Sequence, residues 1–246
     1  MHSSSSRKPI DRVPRRQPMI QPAGTIPLPA PRAAAVAGIL FAGLLIVSIV
    51  LLRWSAPADP LDPGGWLKTG AGRVLLALHL VPFAGIAFLW FIGVLRDRLG
   101  AAEDRFFATV FLGSGLLFLA MLFVSAAAAG GLMIAYKAAP DGLLASPSFT
   151  VIRAVMYVAM NVYAVKMAGV FMIVTSTLAI RTGFIRRWIA LLGYALAAML
   201  LLSVGAFPEM LLVFPLWVLL VSVDILMDGR RQPATASAGT QYQHGE

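Results

Sequence analysis

Between Arg73 and Met121 the chain carries an apolar run, Val74–Leu95, a charged ten-residue link, Arg96–Arg105, and a second apolar run that begins at Phe106 and stays apolar through Ala129. A helix needs ~20 apolar residues to cross ~30 Å of hydrocarbon, and both runs meet that length. Two such runs joined by so short a link predict a membrane hairpin. The link sets three arginines against three acids. Acids weigh little in orientation, so the arginines predict a cytoplasmic link.

The rest of the chain extends this reading. Of 246 residues, 59% are hydrophobic and 13% charged, against roughly 25% charged in soluble domains. The length accommodates about six spans with short links and no sizeable extramembranous domain. The fold class expected is therefore all-α, a polytopic transmembrane helix bundle. A net charge of +9 raises the question of nucleic acid. However, six of the twenty bases lie in the first 32 residues and most others flank apolar runs. That placement predicts anchoring beside anionic lipid headgroups and no nucleic-acid partner. There is no cysteine, which excludes disulfides, thiolate metal sites and thiol nucleophiles. Sixteen of the twenty bases are arginine, and Ala, Gly and Pro are abundant, a composition that suggests a GC-rich bacterial genome.

In chain order, residues 1–32 read as a disordered basic cytoplasmic tail, rich in serine, proline and bases. Arg15-Arg16 is followed by Gln-Pro-Met-Ile, not by the apolar pair of a twin-arginine signal, and is read as a retention charge. The membrane domain is expected over 33–228, with spans at about 33–52, 74–95, 106–129, 152–180, 188–205 and 210–227. Span 1 is longer than a signal-peptide core and is read as retained, although Ala56-Pro57-Ala58 has the small-x-small form of a cleavage site. Ala34, Gly38 and Ala42 on it are spaced for close helix approach. Another span of the same chain is the first candidate for that face, and a protein partner the second. Trp54 and Trp66 are expected at headgroup level. In span 2, Pro82 removes the donor for the Leu78 carbonyl, so a kink is expected near His79. Span 3 is long, with Gly130-Gly131 as a possible break, and Gly113-Ser114-Gly115 reads as a packing surface. Pro140, Asp141 and Pro147 mark a turn and a helix start, Pro208-Glu209 an outer turn, and 229–246 a disordered cytoplasmic tail.

Fourteen of the twenty bases then fall on the cytoplasmic side. This satisfies the positive-inside rule with both termini in the cytoplasm.

The stretch Leu80–Gly100 (LVPFAGIAFLWFIGVLRDRLG), with EDRFFATVFLG at 103–113, resembles uncharacterised actinobacterial multi-pass membrane proteins. The resemblance covers about a seventh of the chain. It implies a bacterial inner (cytoplasmic) membrane, and it brings no reaction and no site residue.

Charged groups inside hydrocarbon are candidate functional residues, because each costs ~2.5–3.5 kcal/mol on insertion scales. Lys166 is the clearest. At ~1.5 Å per residue, Lys166, His79 and Ser48 lie ~22, ~25 and ~24 Å from the cytoplasmic ends of their spans, and Asn161 and Glu209 ~6–10 Å further out. These five residues form the expected ligand-binding set, with Lys166 either paired to Glu209 or extended to the headgroups. Asn161 and Lys166 are ~140° apart on an α-helix, which weighs against one narrow cavity. Asp224 is expected to pair with Arg181 or Arg186. One intramembrane histidine is not a metal site, and no nucleophile has a placed base, so no catalytic residue, metal or cofactor is expected. A non-catalytic accessory subunit or lipid-binding module ranks first. A small transporter for an anionic or lipidic substrate ranks second, and an intramembrane enzyme third.

Overall fold

A computed structural model describes residues 30–55, 62–99, 105–203 and 209–231. The two tails, the Ala56-Pro57-Ala58 tripeptide, residues 100–104 of the Arg96–Arg105 link and Pro208 lie outside the described residues. The described residues are helical, with no strand among them. The elements are α1 (Ala30–Ser55), α2 (Trp66–Thr69), α3 (Ala71–Leu99), α4 (Arg105–Ala138), α5 (Pro140–Leu144), α6 (Pro147–Val158), a π-helical turn (Ala159–Ala164), α7 (Val165–Thr182), α8 (Arg187–Leu202) and α9 (Met210–Arg231). Five helical segments are long and apolar enough to cross a membrane: Arg32–Ser55, Ala71–Arg96, Phe106–Ala138, Pro147–Thr182 and Met210–Met227. Helix α8 is apolar but shorter. Short connections make successive long helices antiparallel, so Arg96, Arg181 and Arg186 share one end of the bundle. Helices α2 and α5 lie at the other.

The local chemistry explains the boundaries. Ser146 caps α6 by accepting from the Ser148 N–H at 3.2 Å, with Pro147 at the first helical position. Gly183 ends α7 at φ +70°, its N–H donating to the Ala179 carbonyl at 2.9 Å, and this left-handed turn is open to glycine without strain. Helix α4 runs unbroken through Gly130-Gly131 for 34 residues, because in hydrocarbon a broken helix would strand backbone groups that water cannot reach. Pro82 likewise lies inside α3 without ending it.

The core runs along the bundle axis. Seven phenylalanines from α1, α3, α4, α7 and α9 meet there: Phe41, Phe88, Phe91, Phe111, Phe118, Phe171 and Phe214. Phe88 lies 4.5 Å from Phe41 and 5.4 Å from Phe171, and Phe118 lies 4.7 Å from Phe214, centroid to centroid. Such pairs add ~0.5–1.5 kcal/mol each beyond the area they bury. The outward faces are apolar too. Leu202, Ile134 and Trp90 are 81%, 73% and 70% exposed, as helices bathed in hydrocarbon require.

Small residues bring backbones together around this core. Ala34, Gly38 and Ala42 are all buried within the chain, on the side of α1 that packs against α3 and α9. A Cβ added at Gly38 would stand 2.0 Å from Ser222 Oγ and 2.9 Å from Phe91. Gly193 of α8 is as tight, with Ser176 Oγ at 2.2 Å and Trp217 Nε1 at 2.9 Å from its virtual Cβ. Gly115 abuts Ile92 and Phe171. Trp54 is exposed, whereas Trp66 is not lipid-facing. It is buried with Leu67, Val74, Leu132, Met133 and Phe149 in a satellite core, and the Arg153 guanidinium lies 5.2 Å above its ring.

Gly38→Ala should therefore destabilise the protein by about 1–3 kcal/mol through overpacking. Gly43→Ala, five residues along on an open face with nothing within 4 Å, should be neutral or gain up to ~1 kcal/mol of helix propensity. Thermal unfolding of both variants in one detergent checks the pair.

Candidate functional site

Helix α8 has 16 residues, ~24 Å at 1.5 Å per residue, and falls short of ~30 Å of hydrocarbon. Its last carbonyls, which no helix can satisfy internally, would then end at membrane depth. Lys166, the second residue of α7, supplies the donors. Its ammonium donates to the carbonyls of Leu200 at 2.9 Å, Leu201 at 2.7 Å and Ser203. All three N–H bonds are used, and the positive charge meets the negative end of the α8 dipole. Lys166 thus neither pairs with Glu209 nor extends to headgroups. It closes a neighbouring helix.

The other four predicted residues go elsewhere. Ser48, buried in α1, donates to the Leu44 carbonyl at 2.8 Å. Asn161, in the π turn, donates to the Tyr157 carbonyl at 3.0 Å. Glu209 is exposed beside the start of α9, with Arg53 of α1 as its electrostatic neighbour, and Tyr157 acts on the same guanidinium. His79, exposed on α3, places Nδ1 2.7 Å from the Leu75 carbonyl. A carbonyl oxygen only accepts, so Nδ1 carries the proton and Nε2 is left for another partner. Among the described residues, no hydrogen bond or ion pair joins any two of the five, so the shared depth does not make a shared site. Nor do three His, Asp or Glu side chains come together among the described residues. Asp224 pairs with Arg186, Nε to Oδ1 at 3.1 Å, and also accepts from the Arg186 backbone N–H at 3.2 Å. Arg181 instead covers the Phe107 ring at 4.4 Å.

His79 lines a groove of about 630 Å³ between α3 and α4. One wall is Leu75, Leu78, His79 and Pro82, successive positions on one face of α3. The other follows α4 at helical spacing through Phe123, Ala126, Gly130, Met133, Ile134 and Lys137. The run Ala126–Gly131 holds only alanine and glycine. It makes the recess, since the nearest atom to a virtual Cβ on Gly130 is Leu78 Cδ1 at 3.9 Å, ordinary contact distance. The lining is apolar except for His79 and Lys137. Its volume falls within the ~300–1,000 Å³ of small-molecule sites. The bundle axis is closed by comparison. A void of about 10 Å³ between Leu45, Phe118, Met160, Leu200 and Phe214 is at the size limit for one water and has no polar group to hold it.

Sequence reasoning picked out His79 but missed the groove. The six-residue Ala/Gly run and Lys137, seven residues beyond Gly130 on the same face, were its visible signals. The ammonium clasp on α8 had only one, a span too short to cross.

Lys166→Met should leave the Leu201 and Ser203 carbonyls without their donor, while the Leu200 carbonyl keeps Ser203 Oγ at 2.9 Å, and should destabilise the protein by about 1–3 kcal/mol, the cost of leaving polar groups unsatisfied. Adding Glu209→Gln should not recover that loss, because the acid is not the partner. Chemical or thermal unfolding of both single variants and the double variant in detergent separates the two outcomes. Compared with known proteins, the chain matches no family model, no curated protein and no solved structure.

Proposed function

We propose that the protein is a non-catalytic, multi-pass component of a bacterial inner membrane that binds lipid, acting as a lipid-binding module or as the lipid-binding accessory subunit of an envelope assembly. The observation that carries this reading is the contrast between a closed axis and a lateral groove. Phenylalanine rings fill the centre of the bundle, where a transporter needs a polar path, whereas the α3–α4 groove lies between two helices long and apolar enough to face hydrocarbon. Such a groove is reached by a molecule already dissolved in the bilayer. In the same reading α8 is a sixth span. Its shortfall is met by Lys166, and both termini are cytoplasmic, as the distribution of bases favours.

Reporter fusions after Arg98, Asp141, Arg186 and Arg231 should read cytoplasmic, external, cytoplasmic and cytoplasmic. A cytoplasmic reading at Asp141 would overturn the six-span topology.

Lipid binding has a separate readout. Full-length protein stripped in excess detergent should gain thermal stability when a bacterial lipid extract is returned, with a response that saturates near one lipid per chain. A strictly linear response would point to bulk solvation of the helices and would remove the module reading. Solute flux through proteoliposomes above that of empty vesicles would favour the transporter instead.

A further inference from the structure

We infer that the α3–α4 groove selects an anionic phospholipid, with the headgroup phosphate held by Lys137 and one acyl chain laid along the Ala126–Gly131 floor. This rests on the lipid-binding reading and adds to it the class of lipid.

The dimensions come first. Lys137 lies in the last turn of α4 and is exposed, and Phe123 stands at the inner end of the same wall. The fourteen residue steps from one to the other span ~21 Å at 1.5 Å per residue, about half of the ~40–45 Å bilayer with its headgroup regions. A chain starting at the headgroups therefore reaches the inner end, at Pro82, Phe83 and Phe123, near the midplane. The apolar, small-residue floor suits a flexible hydrocarbon chain and offers it no hydrogen bond.

Charge completes the match. Lys137 is the cation of this wall, and among the described residues no acidic side chain lines the groove to neutralise it. At the mouth of an apolar slot, a single ammonium favours an amphiphile whose net charge is negative over a zwitterion of equal chain length. His79 lies one turn inward of Leu75 on α3, ~5.4 Å deeper, at the level of groups that join headgroup to chains. Because Nδ1 is engaged with the Leu75 carbonyl, Nε2 is the atom that faces a ligand. In the neutral ring it accepts from a hydroxyl, and in the imidazolium it donates to a phosphate or ester oxygen. A neighbouring transmembrane helix is a poorer occupant, since it would bring no anion to Lys137.

The test uses the full-length protein in mild detergent with an equimolar mixture of phosphatidylglycerol and phosphatidylcholine of identical chains, and native mass spectrometry counts the retained lipids. The wild type should keep one phosphatidylglycerol in about fivefold preference, the size expected for one lysine near a charged surface. Lys137→Gln, a change at an exposed position, should still keep a lipid but lose the preference. Gly130→Leu should fill the floor, lose the retained lipid and keep its helical circular dichroism. Equal retention of both lipids by the wild type overturns the anionic selection, while loss of lipid in Gly130→Leu would leave the lipid-binding reading standing. Unchanged retention in Gly130→Leu overturns the groove as the lipid's site and leaves lipid binding to another face. A lipid-free dimer that Gly130→Leu dissociates also overturns the proposal, by giving the groove to a second copy. Should Gly130→Leu fail to fold, the loss or persistence of preference in Lys137→Gln still decides.

Discussion

In hydrocarbon a backbone N–H or C=O that finds no protein partner finds none at all, and this constraint reaches nearly every polar group described above. Ser48, His79, Asn161, Thr175, Thr177, Thr182 and Ser222 each bond to the carbonyl four residues earlier in their own helix. Such bonds satisfy the side chain without requiring anything of a neighbour, which is why one level of the bilayer can hold several polar residues that never meet. Helix ends are harder. Helix α6 opens on a serine cap and α7 closes on a left-handed glycine, both local solutions. Helix α8 has only part of a local solution, Ser203 bonding to the Met199 and Leu200 carbonyls, and the fold completes it with a charge from the adjacent helix.

Packing shows the same division between near and far. Glycine lets α1 reach α3 and α9 at Gly38, and lets α8 reach α7 and α9 at Gly193, so that backbones meet and dispersion forces hold them. Where the helices stand further apart, along the axis, phenylalanine rings fill the interval. Between α3 and α4 both devices operate nearer the Arg96 end, where Gly85 admits Phe123 and Leu119, Gly115 admits Ile92, and Phe88 meets Phe118. Along Ala126–Gly131 the small residues of α4 are not met in the same way, and the unfilled interval is the groove.

Much of the architecture was legible from residues alone. Apolar run lengths set the long helices, and the alternation of arginine-rich and proline-rich links set their order. The Asp224 partner was narrowed to two arginines, of which the structure selects Arg186. The misreadings share a cause. Counting along a helix gives depth but not direction, so Ser48, His79 and Lys166 were placed at one height with no means of seeing that they face different neighbours. Lys166 was offered a carboxylate or the headgroups because a charge suggests a countercharge or water, whereas its partners are carbonyls 34 to 37 positions away, which any residue carries and no sequence pattern marks. Gly130-Gly131 looked like a break because glycine disfavours helices in water. Trp66 looked like a belt residue because the folding of α2 back onto α3, α4 and α6 is a tertiary event.

The π-helical turn at Ala159–Ala164 sets the phase of everything that follows it. A π turn closes on the fifth residue where an α turn closes on the fourth, and one residue of α-helix corresponds to ~100° of rotation. Val165–Thr182 is therefore turned by about that angle from the orientation that counting from Pro147 assigns, so the ~140° separating Asn161 from Lys166 on an ideal helix does not apply. The single extra residue indexes one rod into two independently aimed surfaces. The first half turns toward α4, where Ser125 donates to the Met156 carbonyl at 2.9 Å. The second delivers Lys166 to the end of α8 and Phe171 to the phenylalanine core.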